Sequence, residues 1–103
     1  MHIEQTPENG KVNFHITGSL SGTEKSTIHL FETVSITLES KPVEIVLNLA
    51  RATYLDSMSI GLLVGILLKC KEKRVGFRIE GMPPHIQEVL DTVGLKKIFP
   101  QLY

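Results

Sequence analysis

Residues 54–70 read YLDSMSIGLLVGILLKC, and at the mouth of this apolar run stand a carboxylate and two hydroxyls, Asp56, Ser57 and Ser59. That grouping has two uses. It caps a helix, because short polar side chains accept from the free N–H groups of a first turn, where the dipole favours negative charge. Alternatively, it presents a serine for chemistry. Residue type and spacing do not raise the serine above a cap.

Other groups with chemical capacity are scattered. His2, His15, His29 and His85 include no pair at metal-ligand spacing, so no metal site is expected. Cys70 is the sole cysteine, which excludes an intramolecular disulfide; on the buried-to-surface edge of a helix it reads as a small hydrophobe rather than a nucleophile. The chain lacks a nucleophile-elbow motif and any glycine loop of Walker or Rossmann spacing, so neither serine hydrolysis nor nucleotide binding is expected. The run Lys69–Arg74 is basic, as suits the C-terminal dipole of a helix and a solvated face, with an acidic partner surface as the lesser reading.

The elements that must position Asp56 and Ser57 follow from periodicity. Residues 2–6 form a short strand, and Pro7-Glu8-Asn9-Gly10 is a turn signal because Asn-Gly accepts positive φ. Val12, Phe14 and Ile16 alternate inward along a second strand over 11–17, hairpin-paired with the first. A loop over Gly18–Gly22 follows. Ser21 and Glu24 have capping-box spacing, predicting a helix from about Thr23 with Ile28, Phe31, Val34 and Leu38 on its apolar stripe. Residues 43–49 are β-branched and apolar enough for a central strand, with a connection over 50–56.

A helix over 57–72 then buries Leu62, Leu63, Ile66 and Leu67, while Gly61 and Gly65, four apart, permit another element to approach closely. A strand over 74–80 turns Val75, Phe77 and Ile79 inward. After Gly81-Met82-Pro83-Pro84, Ile86, Val89, Leu90 and Val93 follow helical spacing, with a final short turn at 95–99. The order is β-β-α-β-α-β-α. Its βαβ unit makes strands 43–49 and 74–80 parallel, beside an antiparallel hairpin.

The 103 residues suit one domain over 1–103, and a 42% hydrophobic and 21% charged composition is that of an ordinary folded chain. Lys+Arg and Asp+Glu are both 11, so no global field recruits nucleic acid or an anionic membrane. The N-terminus lacks the basic and apolar regions of a signal peptide, and the longest apolar-rich run, Ile60–Leu68, is shorter than the roughly 20 residues of a membrane span. A cytoplasmic protein without direct membrane insertion is expected.

Three motifs in order resemble those of the STAS domain family, which includes the anti-sigma factor antagonists of bacteria. Ile16-Thr17-Gly18-Ser19-Leu20 matches the segment before the first helix. Leu55-Asp56-Ser57-Met58-Ser59-Ile60-Gly61-Leu62-Leu63 matches the central signature, and Val89–Phe99 matches the ending. Asn48-Leu49 stands where the family carries Asp-Leu, and Met58 and Ser59 replace a small residue and a glycine.

The resemblance implies an α/β fold: a small mixed β-sheet of four to five strands with helices packed on one face. It implies a regulator of transcription that is not an enzyme and needs no cofactor. Its partner would be an anti-sigma factor that is also a serine protein kinase, a GHKL-type ATPase, and phosphorylation of Ser57 beside Asp56 would switch binding off. The implied partner surface comprises Asp56, Ser57, Met58, Ser59 and Gly61 on the helix start, with Gly18 and Leu20 on the loop. An alternative within the family is a non-phosphorylated STAS subunit of a lipid-transport ABC complex, packed on an ATPase. A ligand-sensing or catalytic role is the third reading, for which the sequence offers no constellation.

Overall fold

The computed structural model describes residues 2–92 and residue 94. Strand β1 (His2–Glu8) and strand β2 (Lys11–Leu20) pair antiparallel, with Glu8 opposite Lys11. Asn9 and Gly10 both have positive φ, 50° and 81°, the two-residue turn whose twist matches a hairpin. Helix α1 (Lys25–Leu38) leads to β3 (Glu44–Leu55), helix α2 (Ser57–Glu72) to β4 (Gly76–Glu80), and helix α3 (Pro84–Thr92) follows. The element order is the one the periodicity predicts. The sheet has four strands in the order β1-β2-β3-β4, with β2, β3 and β4 mutually parallel.

The helices cover one face of the sheet. Phe14 and Ile16 of β2, Leu47 and Leu49 of β3, and Ile79 of β4 meet Leu30 of α1, Leu63 and Ile66 of α2, and Leu90 of α3 in one core. Each such fully buried side chain contributes about 1.5–3 kcal/mol over leaving it in water. The opposite face carries the alternate residues of the strands and is largely polar.

Several boundaries differ from the sequence reading. The expected connection over 50–56 is strand as far as Leu55, because β2 also runs on to Leu20 and the two stay paired. Their register shifts twice, between His15 and Thr17 and between Gly18 and Ser19, so β3 spends two extra residues against β2. Those shifts break the period-2 pattern on which a strand is recognised. At the other end Arg74 and Val75 precede β4: Val75 donates to the Cys70 carbonyl at the end of α2, 2.8 Å away, and the ladder starts at Gly76.

Helix α1 starts at Lys25, and the predicted Ser21–Glu24 capping box does not form; Glu24 is an N-cap without a side-chain cap bond. Its buried stripe is Thr27, Leu30, Val34 and Leu38, and Ile28 lies 46% exposed. Val34 and Leu38 lie on the predicted stripe; in the first half Thr27 and Leu30 are buried one position before the predicted Ile28 and Phe31, and Phe31 packs part-buried against the core. Val93 and the predicted turn at 95–99 lie outside the described residues.

Candidate functional site

The start of α2 is built around Asp56. Its extended backbone (φ −118°, ψ 177°) makes it the N-cap, and its carboxylate accepts the Ser59 N–H at 2.8 Å. Ser59 reciprocates: its hydroxyl accepts the Asp56 N–H at 2.9 Å and donates to the Asp56 carbonyl at 2.8 Å. This is a capping box with aspartate and serine in its two roles. The helix therefore begins at Ser57, as expected, and within the grouping read as a cap the bonds are made by Asp56 and Ser59 and not by Ser57.

The same carboxylate reaches across to the end of the β2–α1 loop. The Gly22 N–H donates to both of its oxygens at 3.1 Å, and the Ser21 hydroxyl donates to one at 3.3 Å. The Ser59 N–H above all, then the Gly22 N–H and the two hydroxyls, hold the Asp56 carboxyl below its ordinary value, against an opposing effect of partial burial. Asp56 is thus a fixed anion with its acceptor capacity largely committed.

Gly22 is where the loop meets the helix. A Cβ there would overlap that of Met58 and lie 3.0 Å from the Ser59 nitrogen, so only glycine lets its N–H approach the carboxylate. Ser21 and Gly22 are the residues whose role the sequence reading missed. The available signal, Ser21 three residues before Glu24, points to a local cap; the structure spends Ser21 on Asp56 and on Thr23 instead.

The predicted surface residues divide. Ser57 is exposed and its hydroxyl has no hydrogen-bond partner among the described residues; Met58 beside it is 58% exposed. Gly61, one turn on, is exposed, with nothing among the described residues within 4 Å of the place a Cβ would occupy. It therefore serves no close approach, unlike Gly65, whose Cβ position lies 3.1 Å from the Phe31 ring. Ser59 is fully buried and committed to the capping box, so its side chain offers no surface and no free hydroxyl. Leu20 is 1% exposed and belongs to the core, supporting the loop from beneath. Gly18 is half-buried on β2, four residues before Gly22.

Among the described residues no cluster of histidine, cysteine and carboxylates could hold a metal ion, and no helix is long and apolar enough to cross a membrane. Cys70 is fully buried, and burial pushes its thiol up to about 11. What the corner offers is one free hydroxyl, presented at a helix N-terminus beside a locked carboxylate.

A family model for the STAS domain matches residues 2–103. The chain belongs to the STAS domain family. No curated protein sequence matches this STAS domain at a significant level. Solved structures share its fold at low identity. An anti-sigma factor antagonist from Mycobacterium paratuberculosis superposes with a TM-score of 0.82 at 18% identity, covering 96% of the STAS domain and 82% of that chain. The anti-sigma factor antagonist SpoIIAA in its unphosphorylated form gives 0.69 at 15% identity, covering 87% and 82%. The Bacillus cell fate determinant SpoIIAA in the phosphorylated form gives 0.70 at 16% identity, covering 93% and 86%.

Proposed function

We propose that this STAS domain is an anti-sigma factor antagonist, a cytoplasmic bacterial regulator rather than an enzyme. It binds an anti-sigma factor that is also a serine kinase through the start of α2 and the adjoining loop, and phosphorylation of Ser57 ends the binding. One observation carries the reading. Of the three groups in the Asp56–Ser59 turn, only the Ser57 hydroxyl is exposed and without a hydrogen-bond partner among the described residues, while Asp56 and Ser59 are spent on holding the corner together. The solved neighbours described as anti-sigma factor antagonists support it through the shared fold.

The chemistry is consistent with a switch that leaves the fold intact. A phosphoserine adds about −1.5 to −2 charge and three strong acceptors. At the first helical position the free N–H groups and the dipole accommodate it. A partner packed on Met58 and a neutral hydroxyl would instead meet two adjacent anions, Asp56 and the phosphate, and the cost of desolvating both. The exposed Met58 also favours the second reading, in which an ATPase of a lipid-transport complex packs on this corner permanently.

Incubation with ATP and the purified GHKL-type kinase, followed by mass spectrometry, tests the proposal. The expected result is a single phosphate on Ser57, none in Ser57→Ala, and loss of partner binding in Ser57→Asp. An unmodified Ser57, with Ser57→Asp binding as the wild type does, would refute it. Stable co-purification with a transport ATPase would establish the second reading.

A further inference from the structure

The face of the sheet that carries no helix holds a feature unconnected with Ser57. Where the β2–β3 register slips, His15 pairs with Asn48 but Thr17 pairs with Arg51, so β3 carries one extra residue. The bulge leaves Ala50 and Arg51 both exposed in succession, and the Asn48 side-chain oxygen accepts the Ala50 N–H at 2.9 Å. Bulges of this kind re-aim side chains and recur beside binding sites. Over this one lies an open cleft of about 370 Å³, near the small end of the range for ligand pockets, lined by Glu4, Thr6, His15, Thr17, Asn48 and Arg51.

Farther along this face, Lys11, Glu44, Arg78 and Glu80 are matched with one another. Glu44 sits 3.5 Å from Lys11 and 3.6 Å from Arg78, which also meets Glu80 at 3.2 Å. Arg51 has no carboxylate partner among the described residues. Beside it stand neutral donors, the hydroxyl of Thr17, its register partner, and the Asn48 amide, whose oxygen is already committed to the Ala50 N–H; Thr6 lines the far end of the cleft. Across the cleft, Glu4 lies directly opposite His15 on the paired strand.

We propose that this cleft binds a small hydroxy- or amino-carboxylic acid. The Arg51 guanidinium presents a planar fork that matches one carboxylate. Glu4 receives the hydroxyl or ammonium at the other end of the ligand and repels a multiply charged anion such as phosphate. Asn48 and Thr17 supply donors to the carboxylate oxygens that the fork leaves open. The site is independent of the reading of Ser57 and stands or falls separately.

The test is an NMR titration of the ¹⁵N-labelled full chain with glycolate, glycine, acetate and inorganic phosphate in turn. Glycolate or glycine should give saturable shifts centred on the amides of residues 15–17 and 48–51, with acetate several-fold weaker and phosphate without effect. Arg51→Ala should weaken the binding by roughly tenfold or more, the loss of a charge-assisted pair. Arg51→Lys should recover part of it, and Glu4→Gln should erase the preference over acetate. Both side chains are exposed, so the variants should retain the wild-type far-ultraviolet dichroism. The proposal is overturned by absence of saturable shifts with both glycolate and glycine, by shifts centred elsewhere, by unchanged binding in Arg51→Ala, or by phosphate binding as tightly as the carboxylates.

Discussion

Gly22→Ala puts the clasp between loop and helix to a direct test. Gly22 does not occupy the left-handed region, so alanine meets no backbone strain there. If the site were open, the change would stabilise the domain by about 0.4–1 kcal/mol through the unfolded chain. The structure predicts the opposite sign. The added methyl overlaps Met58 Cβ and sits 3.0 Å from the Met58 carbonyl carbon and the Ser59 nitrogen, atoms of the helix backbone that cannot swing aside as a side-chain tip does.

Relief requires the loop to back away, which lengthens the two 3.1 Å bonds from the Gly22 N–H to the carboxylate. Overpacking costs about 1–3 kcal/mol, and weakening a hydrogen bond to a charged group adds about 1–2 kcal/mol. A net loss of about 2–4 kcal/mol follows, a large share of the roughly 5–15 kcal/mol of a typical domain and a fall of about 10–20 °C in Tm. Urea unfolding followed by circular dichroism measures it, with an unchanged m-value showing that stability alone has moved. In the Asp56→Asn background the same substitution should cost less, since part of what it breaks is already gone. A Gly22→Ala protein as stable as the wild type, or more so, refutes the geometry of the clasp.

Four further outcomes follow from the same contacts. Ser59→Ala should cost about 1–3 kcal/mol, because it leaves the Asp56 N–H without its acceptor, while Ser57→Ala should stay within about 0.5 kcal/mol; thermal melts of the pair separate the structural serine from the exposed one. The Asp56 carboxyl is held below its ordinary value of 3.8, so its contribution is complete at neutral pH and is lost as the pH falls below that value toward the lowered one; stability measured against pH should show a shallower acid limb in Asp56→Asn. Gly61→Ala should stabilise by about 0.5–1 kcal/mol, with open space to receive the methyl, whereas Gly65→Ala should gain less or lose, since its methyl meets the Phe31 ring at 3.1 Å. The Cys70 thiol should resist a disulfide reagent in the native protein and react fully in denaturant, because its burial and raised pKa leave little thiolate.

The sequence is most informative where one local rule decides. Asn9-Gly10 dictates its turn, and the alternation of Val12, Phe14 and Ile16 dictates the inner face of β2. The second half of β3 is illegible because two register shifts interrupt the alternation, leaving Leu49, Ala52 and Leu55 buried at intervals of three. That spacing belongs to neither a regular strand nor a linker. On α1 Val34 and Leu38 are buried as the pattern predicts, but in its first half Thr27 and Leu30 are buried in place of Ile28 and Phe31, because Ile28 is apolar yet exposed, which local pattern cannot anticipate. At the site, Asp56 and Ser57 were legible as a helix start. The division of labour between them was not, because it depends on Gly22, and a partner 34 residues away leaves no periodic trace.

The surface around Ser57 is assembled from two distant stretches of chain, and the Asp56 carboxylate is what joins them. A peptide spanning 50–65 would contain the carboxylate and all the hydroxyls of the helix start, yet lack the Gly22 donor and the loop beside it. Short helices of this kind are also marginal in water. A partner that reads this corner therefore reads more than a string of residues. It recognises a chain that has completed its fold, and a nascent or damaged copy bearing the same serine would not be counted.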